Sequence, residues 1–258
     1  AQHHPNVEVK LDSLTANILG TKLEKLNGYV GLDGLQIYNE KHPFVNDRLR
    51  FTAINTAAGL HKYILSSDIV NATLNTNYEY KDIKDSLINV AYRYIPNILP
   101  QREEPSRKNK IHSEDESADR FFNFSVETFD TKPLLYIFLP EPYVADHSSI
   151  DLQLDGLTQQ DKINIHIPQT TYKDRFNLSN FLLNASSTTE KHLMVNMSSD
   201  SITLSNQKGA ILSLHQLGFV ADMVQSSIDF QLSWRNKSDS SSQHSHINGN
   251  FDAHDKNN

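Results

Sequence analysis

The chain has 258 residues, 24 Lys and Arg against 31 Asp and Glu, a formal net charge of -7 and no cysteine. An acidic balance without a basic stripe excludes a surface that tracks nucleic-acid phosphates, because such binding rests on clustered Lys and Arg. The missing cysteines exclude disulfides, thiolate metal sites and a cysteine nucleophile, and the longest apolar run, Leu134 to Leu139, is far short of the ~20 residues that cross a bilayer.

The length suits one elongated domain or two units with a real core. The chain opens AQHHPNVEVK and closes DAHDKNN, without a targeting sequence or a capping element, and reads as a segment of something longer. It holds 24 Asn beside abundant Ser and Thr. Their side chains compete for the backbone inside helices, so strands and turns are expected.

In chain order, apolar residues recur at every second position, the signature of half-buried antiparallel strands. Val7, Val9 and Leu11 open the pattern; Leu35 and Ile37 continue it; Leu49, Phe51 and Ala53 follow an expected turn around Asn46 and Asp47. Val70, Ala72 and Leu74 come next. From Tyr80 to Ile95 the spacing changes to that of an amphipathic helix, with Ile83, Leu87, Val90, Ala91 and Tyr94 on one side and Pro96 as the stop. Gln101 to Arg120 holds eleven charged residues in twenty and reads as a solvated linker. A short helix is expected between Pro133 and Pro140.

Alternation returns in Phe122, Phe124 and Val126, then in Ile150, Leu152 and Leu154, and in Ile163, Ile165 and Ile167. It continues through Leu193, Val195 and Met197, then Ile202 and Leu204, and ends with Ile228, Phe230, Leu232 and Trp234. After a polar turn at Asn236 to Gln243, Ser245 to Phe251 reads as a further strand with no evident partner. The expected organisation is a β unit over residues 1–96 ending in the helix, a charged linker over 97–120, and a second β unit over 121–258.

Catalytic signatures are missing: no GxSxG elbow, Walker A loop, HExxH or dinucleotide fingerprint occurs. Gly28, Gly31 and Gly34 lie inside a strand pattern and read as bends in a curved sheet. His3 and His4, and His244 with His246, are pairs without a third ligand at metal-site spacing, and read as solvated side chains. The densest acids, Glu114, Asp115, Glu116 and Asp119, lie in the linker, away from apolar neighbours that would shift a pKa. No enzyme, metal or cofactor is expected.

What remains is a surplus of dry strand faces. At least eight alternating strands must be covered, and two helices cannot cover them. A closed barrel, a two-layer sandwich, or a trough filled by an apolar ligand would each solve this.

Several segments resemble the AsmA/TamB family of large envelope proteins of diderm bacteria. SDIVNATLNTNYEYKDIKDSLINVAYRYIP, Ser67 to Pro96, is similar to that family's strand, helix and proline-terminated ending. LEKLNGYVGLDGLQIY (Leu23 to Tyr38), LRFTAINTAAGLHKYILSSD (Leu49 to Asp68), the run from Phe121 to Gly156 and MVQSSIDFQLSWRN (Met223 to Asn236) resemble it in order and pattern. The charged insertion at Gln101 to Arg120 departs from the plainest form.

The resemblance implies a mainly β fold: an elongated, curled, half-pipe antiparallel sheet with one amphipathic and one short helix. It implies a periplasmic segment of a parent anchored in the inner membrane, whose hydrophobic groove carries phospholipid between membranes or supports outer-membrane protein assembly. Phospholipid acyl chains are then the ligand, and an insertase-class outer-membrane barrel is a partner through other parts of the parent. The expected groove residues are Val70, Ala72, Leu74, Ile150, Leu152, Leu154, Ile163, Ile165, Ile167, Leu193, Val195, Met197, Ile228, Phe230 and Leu232; ordinary core packing is their alternative role. The alternative for the whole chain is a non-transporting envelope or surface module that binds a protein through strand edges.

Overall fold

The computed structural model describes residues 8–38, 43–79, 81–83, 88, 120–132, 142–156, 158, 160–173, 175–189, 192–206, 209–224, 227–236 and 244–252. Within these, one sheet of fifteen strands organises the chain, every pairing antiparallel, and it does not close into a barrel. The first edge is made of β1 (Glu8–Lys10) and β2 (Ser13–Leu19), which share one neighbour, β3 (Asn27–Tyr38). The sheet then runs through β4 (Pro43–Asn55), β5 (His61–Ser67), β6 (Val70–Thr76) and β7 (Phe121–Thr128). It skips β8 (Pro142–Val144), which pairs only with the end of β10. It continues through β9 (Ser149–Asp155), β10 (Lys162–Tyr172), β11 (Phe176–Thr189), β12 (His192–Asn206), β13 (Gly209–Val224), β14 (Ser227–Arg235) and β15 (His244–Asp252), the second edge.

β6 and β7, on either side of the expected linker, pair directly over seven residues from Val70↔Thr128 to Thr76↔Phe122. Of the expected amphipathic helix, Lys81 to Ile83 and Ile88 are helical, and of the expected short helix between Pro133 and Pro140 nothing is described. The rest of the amphipathic helix, the linker up to residue 119, and His3 and His4 lie outside the described residues.

Two expectations are corrected. Asn46 is not in a turn: it is fully buried inside β4, opposite Leu35. Local polar bonds make this possible, since the Asp68 backbone N–H donates to Asn46 Oδ1, and the Asp47 and Arg48 N–H groups donate to the Asp68 carboxylate. The strand near the C-terminal end does have a partner. β15 pairs antiparallel with β14 over nine residues, with Trp234 opposite Ser245.

Gly28, Gly31 and Gly34 all lie in β3. Gly28 has φ +125, and a Cβ there would sit 1.9 Å from the Asn17 carbonyl oxygen, so only glycine lets β2 approach. Gly34 marks the point where β2 ends as the neighbour of β3 and β1 begins. Asn180 in β11 and Gln216 in β13 also have positive φ, and at Gln216 the pairing with β14 shifts by one residue, a bulge that increases local twist.

The core is thin. The buried apolar residues include four alanines, Ala53, Ala145, Ala185 and Ala221, with Phe44, Ile69, Phe122, Leu154 and Leu217. The largest fully buried side chains among the described residues are Asn46 and Thr76, neither of them apolar. A second layer packed on the sheet would bury large aliphatic and aromatic side chains completely, as close-packed interiors do.

Candidate functional site

The pairing registers place side chains in rows that run across the strands, and cross-strand partners share a face. One row reads Ala16, Val30, Phe51, Leu65, Ala72, Val126, Ile150, Ile165, Leu183, Met197, Phe219, Leu232, Ile247, with an apolar residue on each of the thirteen strands it crosses. Two residues along each strand, the next row reads Ile18, Gly28, Ala53, Tyr63, Leu74, Phe124, Leu152, Ile163, Ala185, Val195, Ala221, Phe230, Gly249. At ~4.8 Å between neighbouring strands, each row is about 58 Å long. A third, shorter row adds Phe122 and Leu154, then Leu193, Met223, Ile228 and Phe251.

The opposite face is polar. The row offset by one residue reads Asn17, Tyr29, Thr52, Ile64, Thr73, Ser125, Asp151, Asn164, Asn184, Asn196, Val220, Gln231, Asn248. The surplus of Asn in the composition is used here, as the wetted side of the sheet.

All fifteen expected groove residues stand on the apolar face, Val70 and Ile167 one step outside the two long rows. All but one of them keep part of their surface exposed. Leu154 is buried at 3% exposure, Ile150 is 37% exposed, and the other thirteen are half-buried. Sequence reasoning missed Leu65, Leu183 and Phe219 because β5, β11 and β13 escaped it. In FLLNASS and QLGFVAD the alternation is blurred by Leu182 and Val220, apolar residues on the polar face. The signal that remains is the spacing Phe181, Leu183, Ala185 and Leu217, Phe219, Ala221.

Aromatic rings cluster on the apolar face. Phe51 stacks on Tyr63 with centroids 6.4 Å apart, and Phe219 on Phe230 at 6.4 Å. Tyr63 keeps its polar tip satisfied by donating to the Leu23 carbonyl at 2.9 Å, and burial raises the pKa of its phenol. On the polar face, the Arg50 guanidinium reaches Asp33 Oδ1 at 2.6 Å and Ser13 Oγ donates to Oδ2 at 2.9 Å. These hydrogen bonds hold the Asp33 carboxyl below the usual carboxylate range.

The polar face also bears a hollow of about 440 Å³ lined by Ser125, Glu127, His147, Ser149, Asp151 and His166. His147 Nδ1 lies 3.3 Å from Glu127 Oε1, but the two side chains are 70% and 50% exposed, so the contact is open to water and contributes little. Among the described residues no group of three or more His, Cys, Asp and Glu could hold a metal ion, and no helix is long and apolar enough to cross a membrane.

The arrangement is a long apolar strip backed by a polar face. No protein-family description, curated protein or solved structure matches the chain.

Proposed function

We propose that the chain is an internal segment of a cell-envelope protein that carries phospholipid acyl chains along its apolar face. In this reading the sheet curls with that face inward, as a half-pipe, and the parent bridges the inner and outer membranes in the manner of the AsmA/TamB family, whose segment order the sequence resembles. The parent would meet an outer-membrane barrel through other parts, and support of outer-membrane protein assembly would follow from the same lipid supply.

The observation that carries the reading is the pair of apolar rows spanning the sheet while their side chains stay half-buried among the described residues. Each methylene moved from water to an apolar surface is worth about 0.8 kcal/mol, so ten methylenes gain about 8 kcal/mol. Burial of that kind is non-directional. A chain lying along rows of similar side chains meets no single deep trap and can advance from strand to strand.

The test is extraction of the purified chain followed by lipid mass spectrometry, with a native mass spectrum of the same sample. Bound phospholipid is the expected result. A lipid-free protein that also fails to take up phospholipid from vesicles would leave only the protein-binding module.

A further inference from the structure

We propose that the ends of β10 to β13 form a tongue whose tip settles into the surface of a bilayer containing anionic phospholipid. The inference does not depend on the lipid reading of the long apolar face.

The tongue follows from strand lengths. Arg235 ends β14 opposite His215, and β13 reaches six residues past that point to Gly209. On the other side, Ser149 begins β9 opposite His166, and β10 runs six residues past it to Tyr172. Among the described residues only the three of β8 lie beside that extension. β11 and β12 fill the space between, paired out to Phe176 and Asn206. At ~3.4 Å per residue, the four strands stand about 20 Å beyond β9 and β14.

The end of the tongue has an apolar and a polar side. Pairing sets Tyr172 opposite Phe176, Phe176 opposite Leu204 and Leu204 opposite Leu212, and these four belong to neither long apolar row. The row one residue away, Thr171, Asn177, Thr203 and Ser213, is polar. Tyr172, Leu204 and Leu212 are exposed, and Ile211 keeps 68% of its surface open. Ile211 is the extra residue where the pairing of β12 with β13 shifts between Leu204 and Ser205, and such a bulge re-aims a side chain. The two hairpins end side by side, since the Ser205 N–H donates to the Arg175 carbonyl at 2.7 Å.

Charge decides the partner. Lys173 and Arg175 are exposed at this end, with Lys173 Nζ 5.3 Å from the centroid of the Tyr172 ring. In the sequence, residues 173–175 and 207–208, which link the paired strands, hold three cations against one carboxylate, in a chain of net charge -7. Cations beside aliphatic side chains and a tyrosine suit the headgroup layer, where anionic phosphates meet acyl chains. A protein partner suits the tip less. Four strands span about 14 Å, narrow for a stable interface that takes ~800 Å² from each partner, and lysine is depleted in such interfaces.

The test is flotation of the full chain with vesicles of equimolar phosphatidylethanolamine and phosphatidylglycerol, and with vesicles of phosphatidylcholine alone. The wild type floats with the first and not with the second. Ile211→Glu lowers partition to the anionic vesicles by about tenfold, since an aliphatic side chain no longer leaves water. Lys173→Glu combined with Arg175→Glu lowers it too. Both variants keep the wild-type circular dichroism, because these side chains are already exposed. Val220→Glu, at an exposed apolar position of β13 outside the tongue, floats like the wild type. The chain has no cysteine, so a polarity-sensitive label on Ile211→Cys reports this site alone, and its emission shifts to the blue on the anionic vesicles. A wild type that stays unbound, equal flotation of Ile211→Glu, or loss of flotation in Val220→Glu overturns the proposal. Flotation abolished by Ile165→Asp and kept by Ile211→Glu places the contact on the long apolar face and overturns it as well. So does a change in the sedimentation of the vesicle-free protein on Ile211→Glu, which makes the tip an interface between copies.

Discussion

Ile150 and Ile165 stand directly opposite each other across β9 and β10, at the middle of the sheet, and Ile150 still keeps 37% of its surface exposed. In a closed β-sandwich such a central pair would be buried between layers. Here it is part of a strip that continues through Val126 on one side and Leu183 on the other.

A charge at this point therefore costs little folding energy. Ile165→Asp is expected to keep the fold and lower stability by about 1–2 kcal/mol, because the carboxylate retains water that a sealed core would remove. For a chain of this size that is a fall in Tm of about 2–8 °C. Thermal unfolding followed by circular dichroism checks it; a chain that no longer folds would mean that the face is a closed core.

Gly28→Ala is expected to destabilise by about 1–3 kcal/mol, since it combines a strained φ with a backbone clash against Asn17. Gly59→Ala shares the positive φ but meets nothing within 4 Å, so its loss should be smaller. The order of the two midpoints in urea decides whether β2 lies as close to β3 as described.

The Asp33 pKa is depressed in the folded chain, chiefly by the hydrogen bond from Arg50. A carboxyl with a folded pKa below its unfolded value adds stability that is present above the unfolded pKa, near 3.8, and is lost as pH falls through the folded one. An NMR titration of the carboxyl carbon should give a midpoint below 3.8 in the wild type, moving up in Arg50→Gln. An unchanged midpoint in the variant would assign the shift to another cause.

Much of the apolar face was legible in the sequence, for a physical reason. Strands such as KINIHIP and SIDFQLS alternate cleanly because one face is wet and one is not, and the alternation alone assigns Ile163, Ile165, Ile228 and Phe230 to the dry side. It fails where both faces are apolar, as at Leu182 beside Leu183, and where a polar residue is buried, as at Asn46. The partner of β15 was invisible because a strand's pairing is set by the register it finds in the fold, not by composition. What fills the face is not written in alternation at all, since a lipid-binding strip and a packed core need the same residues at the same spacing.

The most direct measurement of the central claim is site-specific photo-cross-linking of the protein within cells, comparing a photoreactive side chain at position 165 with one at position 164. Ile165 belongs to the apolar row and Asn164 to the polar one, next to each other on β10. Phospholipid adducts are expected at 165 and none at 164. Equal labelling at both positions, or none at 165 while the protein is folded and active, would contradict a lipid path along the apolar face.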